Sequence, residues 1–132
     1  MKEERDMGMK VIATPHAPAA VGPYSQGYVA GDFVYTAGQC GLDPADGHVV
    51  SEGVEDQAEQ ACRNIGAILE AAGASFEQVI KANVYLADMA DFAAFNAVYA
   101  KYFTTKPART CVAVRDLPLG LRCEVEVVAY LG

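Results

Sequence analysis

The sequence has 132 residues, a net charge of −7, 52% hydrophobic and 20% charged side chains. That balance fits one globular domain with its own core and excludes a disordered chain; ten scattered Lys and Arg residues against seventeen acids argue against nucleic acid as a main partner. No apolar run approaches the roughly 18 residues of a membrane span, and the charged opening Met1-Lys2-Glu3-Glu4-Arg5-Asp6 lacks a signal peptide's apolar core, so a cytoplasmic chain with no membrane partner is expected.

Residues 1–9 read as a flexible extension, and 10–132 as a single domain. Val11-Ile12-Ala13 is a short first strand ended by Thr14-Pro15, and His16 to Gly27, with Pro18, Gly22 and Pro23, is a loop. Tyr24 in that loop either packs it onto the body or stands at a pocket. Tyr28-Val29-Ala30 and Phe33-Val34-Tyr35-Thr36 around Gly31-Asp32 form a hairpin with a type II′ turn or a close variant. Gly38-Gln39-Cys40-Gly41 follows, either as a plain turn or as backbone that a ligand approaches closely.

A turn at Asp43-Pro44-Ala45-Asp46-Gly47 precedes a helix for which Ser51 is the expected N-cap. Its core face is Val54, Ala58, Ala61, Ile65, Ile68, Leu69 and Ala72, and Gly73 ends it. The acids Glu52, Glu55, Asp56 and Glu59 favour the helix N-terminus rather than catalysis. Val79 to Leu86 is a strand with Asn83 and Tyr85 on one face. A second helix, capped by Asp88 or Asp91, runs through Phe103 with the aromatic stripe Phe92, Phe95, Tyr99, Tyr102 and Phe103 as core, and Asn96 beside it facing a loop.

The C-terminal part reads as two strands, 110–116 and 123–130, joined by a turn at 117–122. Alternation gives Val112 and Val114, with Val125, Val127 and Ala129, a core face; Arg109, Cys111, Ala113, Arg115, Glu124 and Glu126 take the other. Those charges are either solvated or the lining of a polar cleft or subunit contact. In a simple hairpin Arg109 and Glu124 share a face but stand about 20 Å apart. One small substrate cannot span that gap, so either the strands pair otherwise or the two residues meet between chains. Cys40, Cys62, Cys111 and Cys123 have no CxxC spacing, and His16 and His48 supply no zinc pattern, so free thiols and no metal are expected.

Pro107-Ala108-Arg109-Thr110-Cys111-Val112, Leu117-Pro118 and Glu124-Val125-Glu126 resemble the C-terminal signature of the RidA/YjgF family of enamine/imine deaminases. Ala17-Pro18-Ala19-Ala20-Val21-Gly22-Pro23-Tyr24-Ser25-Gln26-Gly27 resembles its N-terminal loop, and Thr36-Ala37-Gly38-Gln39 its next landmark. Ala37 stands where serine is frequent, and Cys40-Gly41 replaces a more typical Ile-Pro, which leaves substrate size open.

The resemblance implies an α+β, chorismate-mutase-like fold, a mixed sheet with two helices on one face, assembled as a homotrimer. It implies hydrolysis of 2-aminoacrylate and 2-aminocrotonate, or their imines, to 2-keto acids and ammonia without a cofactor. In that reading Arg109 binds the substrate carboxylate, Glu124 handles the water, Tyr24 helps move a proton, and Gly38 and Cys111 lend backbone groups. Cys111 lacks a histidine base in the motif and reads as a small packed residue rather than a nucleophile. The alternatives are a non-enzymatic 2-keto-acid-binding or chaperone-like module, a deaminase of a larger enamine such as 2-aminomuconate, and a ribonuclease, against which the acidic composition speaks.

Overall fold

The computed structural model describes residues 8–132. The expected extension lies outside the described residues as far as position 7, and Met9 already belongs to the first strand. Strands β1 (Met9–Ile12), β2 (Gly27–Ala30) and β3 (Phe33–Thr36) lead into helix α1 (Val54–Ala71). Strand β4 (Val79–Leu86), helix α2 (Phe92–Tyr102) and strands β5 (Ala108–Ala113) and β6 (Cys123–Tyr130) complete the chain. The sheet order is β1-β2-β3-β6-β4-β5, and only β4 and β5 run parallel. This is the expected mixed sheet, with α1 and α2 covering one face.

The β2–β3 hairpin turns at Gly31, φ 58°, while Asp32 keeps a negative φ, as a type II′ turn requires. Helix α1 buries Ala58, Ala61, Ile65, Ile68 and Leu69 against Val34, Val125, Val127 and Ala129 of the sheet. Its C-terminus breaks at Gly73, φ 79°. The N-terminus departs from expectation: Gly53 is the cap residue, and Ser51 Oγ accepts from the Gly53 amide at 3.1 Å, shaping the entry instead. Two polar side chains of α1 point inward as well, and a third, Glu59, lies at the helix–helix border. Gln57 and Asn64 are buried, and Glu59 joins the helices by meeting Lys101 Nζ at 2.9 Å and the Tyr102 hydroxyl.

Asp88 caps a short 3-10 turn (Met89–Asp91), accepting from the Ala90 amide at 2.8 Å. Asp91 occupies the cap position of α2 but makes no capping bond; it pairs with Arg122 Nη2 at 2.7 Å. The stripe on α2 is core at Phe95, Tyr99 and Phe103, whereas Phe92 stays partly exposed.

The expected C-terminal hairpin does not form. Strand β4 lies between β5 and β6, pairing parallel with one and antiparallel with the other. The nine residues between Ala113 and Cys123 can cross over its end, turning through Leu119 (φ 58°) and Gly120 (φ 67°). The face assignment holds for β6, where Val125, Val127 and Ala129 are buried, but reverses for β5. Register sets Arg109 beside Ala82 and Cys111 beside Val84 on the helix-covered face, and leaves Val112 43% exposed beside Tyr85 on the open one. At the sheet edge, beyond the middle of the core, that inner face has room for an arginine.

Phe95 is fully buried and packs Tyr99 at 5.8 Å between ring centroids. Phe95→Ala should cost about 3–5 kcal/mol, the sum of the transfer and cavity terms for a large core residue. Urea denaturation at fixed protein concentration should show a clearly lowered midpoint; an unchanged midpoint would contradict this packing.

Candidate active site

Tyr24, Gly38, Cys40 and Glu124 line one cleft of about 760 Å³, rimmed by Leu119 and floored in part by Ala37. The N-terminal loop is held over it by Gln26. That buried side chain accepts from the Thr14 amide at 2.7 Å and donates to the Thr14 and Pro18 carbonyls at 3.0 and 2.9 Å. Tyr24 itself is 53% exposed, which places it at the mouth rather than in packing.

The 38–40 segment is fixed to β6 by a reciprocal backbone pair, Gln39 N to Val125 O at 2.7 Å and Val125 N to Gln39 O at 2.9 Å. This brings Gly38 directly against Glu124: a Cβ at position 38 would overlap Glu124 Oε2 and come within 2.7 Å of its Cδ. Glycine there leaves the Glu124 carboxylate in its present place. Beside it, Cys40 Sγ donates to Glu124 Oε1 at 3.5 Å. From below, Asn64 Nδ2 of α1 donates to the Cys40 and Leu42 carbonyls at 3.1 and 3.0 Å. Sequence reasoning missed this role; a polar residue one step from Ile65 in the apolar run was the available signal.

Arg109 lies elsewhere. Its Nη1 donates to Asn96 Oδ1 at 2.8 Å, and its guanidinium carbon stands 4.7 Å from the Tyr99 ring centroid and 5.6 Å from that of Phe92. Asn96 therefore serves the signature strand rather than a loop. Burial raises the Tyr99 hydroxyl to about 12 against the opposing pull of Arg109, so the ring faces the cation as a neutral phenol. Cys111, next along the same face, is also pushed up by burial, only partly offset by Arg109. A thiol held protonated is no nucleophile.

Glu124 pairs opposite Tyr85 on the open face of the sheet, while Arg109, opposite Ala82, projects from the helix-covered face. Of the sequence-derived site residues, the fold thus gathers Tyr24, Gly38 and Glu124 in one place and Arg109 with Cys111 in another. Farther along β6, Glu126 Oε2 accepts from Asn83 Nδ2 and the Tyr85 hydroxyl, both at 3.0 Å, so it is engaged structurally. No group of His, Cys, Asp and Glu suited to hold a metal occurs among the described residues.

The family described as Endoribonuclease L-PSP matches this chain over residues 14–131. The chain belongs to this family, known also as RidA/YjgF. A 2-iminobutanoate/2-iminopropanoate deaminase of Capra hircus is 49% identical over 124 residues, 93% of this chain and 90% of the relative. Among solved structures, the YjgF gene product of E. coli aligns with TM-score 0.87 and 42% identity, over 92% of this chain and 98% of its own. E. coli TdcF, solved with bound serine, aligns with TM-score 0.87 and 40% identity over the same shares. The RidA fold expected from the signature is therefore the fold of this chain, and its signature residues divide between two faces of the sheet.

Gly38→Ala tests the contact under Glu124. The added methyl conflicts with a side chain rather than with backbone, so the fold should survive while the carboxylate swings away. A crystal structure of the variant should show the Cys40–Glu124 contact broken; Glu124 unmoved would contradict the geometry.

Proposed function

We propose that this chain hydrolyses small 2-imino acids and their enamine tautomers, such as those of 2-aminoacrylate and 2-aminocrotonate, to 2-keto acids and ammonia. The site is completed between neighbouring subunits of a homotrimer. The observation that carries this reading is the state of Arg109: a guanidinium oriented by Asn96 and two rings, with no carboxylate partner among the described residues. A planar fork held in place and unpaired is suited to a substrate carboxylate. The deaminase name of the Capra hircus relative and the serine bound to TdcF agree with it.

A three- or four-carbon substrate on Arg109 cannot reach Glu124 through its own sheet. The open face offers the means of assembly: Tyr28, Phe33, Tyr35, Val112 and Tyr130 are all at least 36% exposed there. Such an apolar face calls for cover, and three copies packed through it bring the β5 edge of one to the cleft of the next. The ring contact of Phe33 with Tyr130, 5.4 Å between centroids, keeps that surface ordered before assembly.

In the completed site Arg109 of one subunit binds the carboxylate of the imino acid. Glu124 of the other accepts a proton from water as its oxygen adds to the imine carbon, giving a carbinolamine. The proton passes to nitrogen, with Tyr24 as shuttle, the C–N bond breaks, and ammonia leaves as Glu124 takes the hydroxyl proton and the carbonyl forms. The imine is electrophilic enough once protonated that these groups suffice. The backbone at Gly38 and Cys111 flanks the carboxylate and the departing amine. Such short-lived substrates arise from dehydratases acting on serine and threonine, and a cytoplasmic enzyme working beside them is part of this reading. The ribonuclease reading has little support from a net charge of −7.

Purified protein should accelerate ammonia release from dehydratase-generated 2-aminoacrylate. Arg109→Ala should lower kcat/KM by about a thousandfold, the worth of a bidentate charge-assisted pair, with Arg109→Lys recovering little. Wild-type rates in Arg109→Ala, with the oligomer intact, would overturn the assignment.

A further inference from the structure

Cys40 occupies a position that the reaction as described does not use, yet it touches the residue on which that reaction turns. Its thiol lines the cleft and donates to Glu124 Oε1, while Oε2 rests over the Cα of Gly38 with no hydrogen bond of its own among the described residues. The two oxygens of one carboxylate are thereby made unlike. The sulfur is held as firmly as the carboxylate, because Asn64 grips the Cys40 carbonyl and the neighbouring Gln39 is paired with Val125 on both sides.

We propose that Cys40 is a positioning residue for Glu124: its S–H fixes Oε1 and leaves Oε2 as the oxygen that takes the proton from water. This rests on the deaminase reading above. A thiol is a weak donor, so it orients the carboxylate without stabilising the charge as a hydroxyl would. A carboxylate held in place but left basic is what water activation needs. Burial and the Glu124 charge push the Cys40 thiol well up, so it stays a donor throughout the working pH range.

The other titratable groups around Glu124 are Tyr85 opposite it on β4, Glu126 two residues along β6, the adjacent Cys123 on the inner face, and Tyr24 and Asp46 in the cleft lining. Arg109 of the neighbouring subunit joins them in the assembled site.

The experiment compares wild type, Cys40→Ser and Cys40→Ala by 13C NMR titration of the Glu124 side-chain carboxyl and by the pH profile of kcat/KM. Serine, a stronger donor to the carboxylate, should move the Glu124 titration and the acidic limb of the profile to lower pH. Alanine, which removes the donor, should move both up and lower kcat about tenfold while KM stays within about twofold. Superimposable Glu124 titrations in folded variants, matched by thermal midpoint, would overturn the proposal. So would equal kcat in wild type and alanine variant. The NMR titration needs no turnover: shifted titrations in a protein that releases no ammonia would refute the deaminase reading and leave the Cys40–Glu124 coupling standing.

Discussion

Strand β4 hydrogen-bonds β5 on one side and β6 on the other, and that pairing governs how the C-terminal signature is used. If β5 and β6 paired directly, their charged residues could share a face. With β4 inserted, the parallel register beside Ala82 and Val84 turns Arg109 and Cys111 toward α2, while the antiparallel register beside Tyr85 turns Glu124 to the open face. The two halves of the proposed site are then built separately, each on its own strand, and on that proposal the apposition of two copies joins them.

The cleft half is braced by polar side chains whose burial has an evident purpose. Gln26 saturates its amide on the loop carrying Tyr24, and Asn64 does the same on the loop carrying Cys40. Gln57 Oε1 accepts from the Arg122 amide at 2.7 Å, tying α1 to the entry of β6 two residues before Glu124. An amide buried without such bonds would cost about 1–3 kcal/mol, so these residues hold one conformation of loop each. Tyr99 is the exception, its hydroxyl buried without a partner among the described residues. Its ring meets Phe103 at 4.2 Å and carries Arg109 on its face, which offsets part of that cost.

Much of this was legible in the residues. The period of α1 gave its buried stripe, β4 was bounded at Val79 and Leu86, and glycines at 31 and 73 marked turns that their positive φ confirms. Strand pairing was not legible, because alternation says which residues share a face but not which strand lies alongside. That ambiguity alone produced the wrong hairpin and the reversed face of β5. The site residues were recognisable as a motif, whereas their supports were not. Asn64 and Gln57 look like ordinary helix polar residues until the loops they bond are folded against them, and Asn96, read as facing a loop, meets Arg109 of β5 instead. Ser51 failed as a cap because its hydroxyl reaches the Gly53 amide, two residues on, and stops short of the first turn.

The central claim is that a working site draws Arg109 from one subunit and Glu124 from the next. Subunits carrying Arg109→Ala and subunits carrying Glu124→Gln are each inactive on this account, and co-refolding them in equal amounts mixes them within trimers. Random mixing in a cyclic assembly gives about one site in four with both residues intact, so ammonia release should return to about a quarter of the wild-type rate per site. Verified heterotrimers with no activity would contradict the shared site.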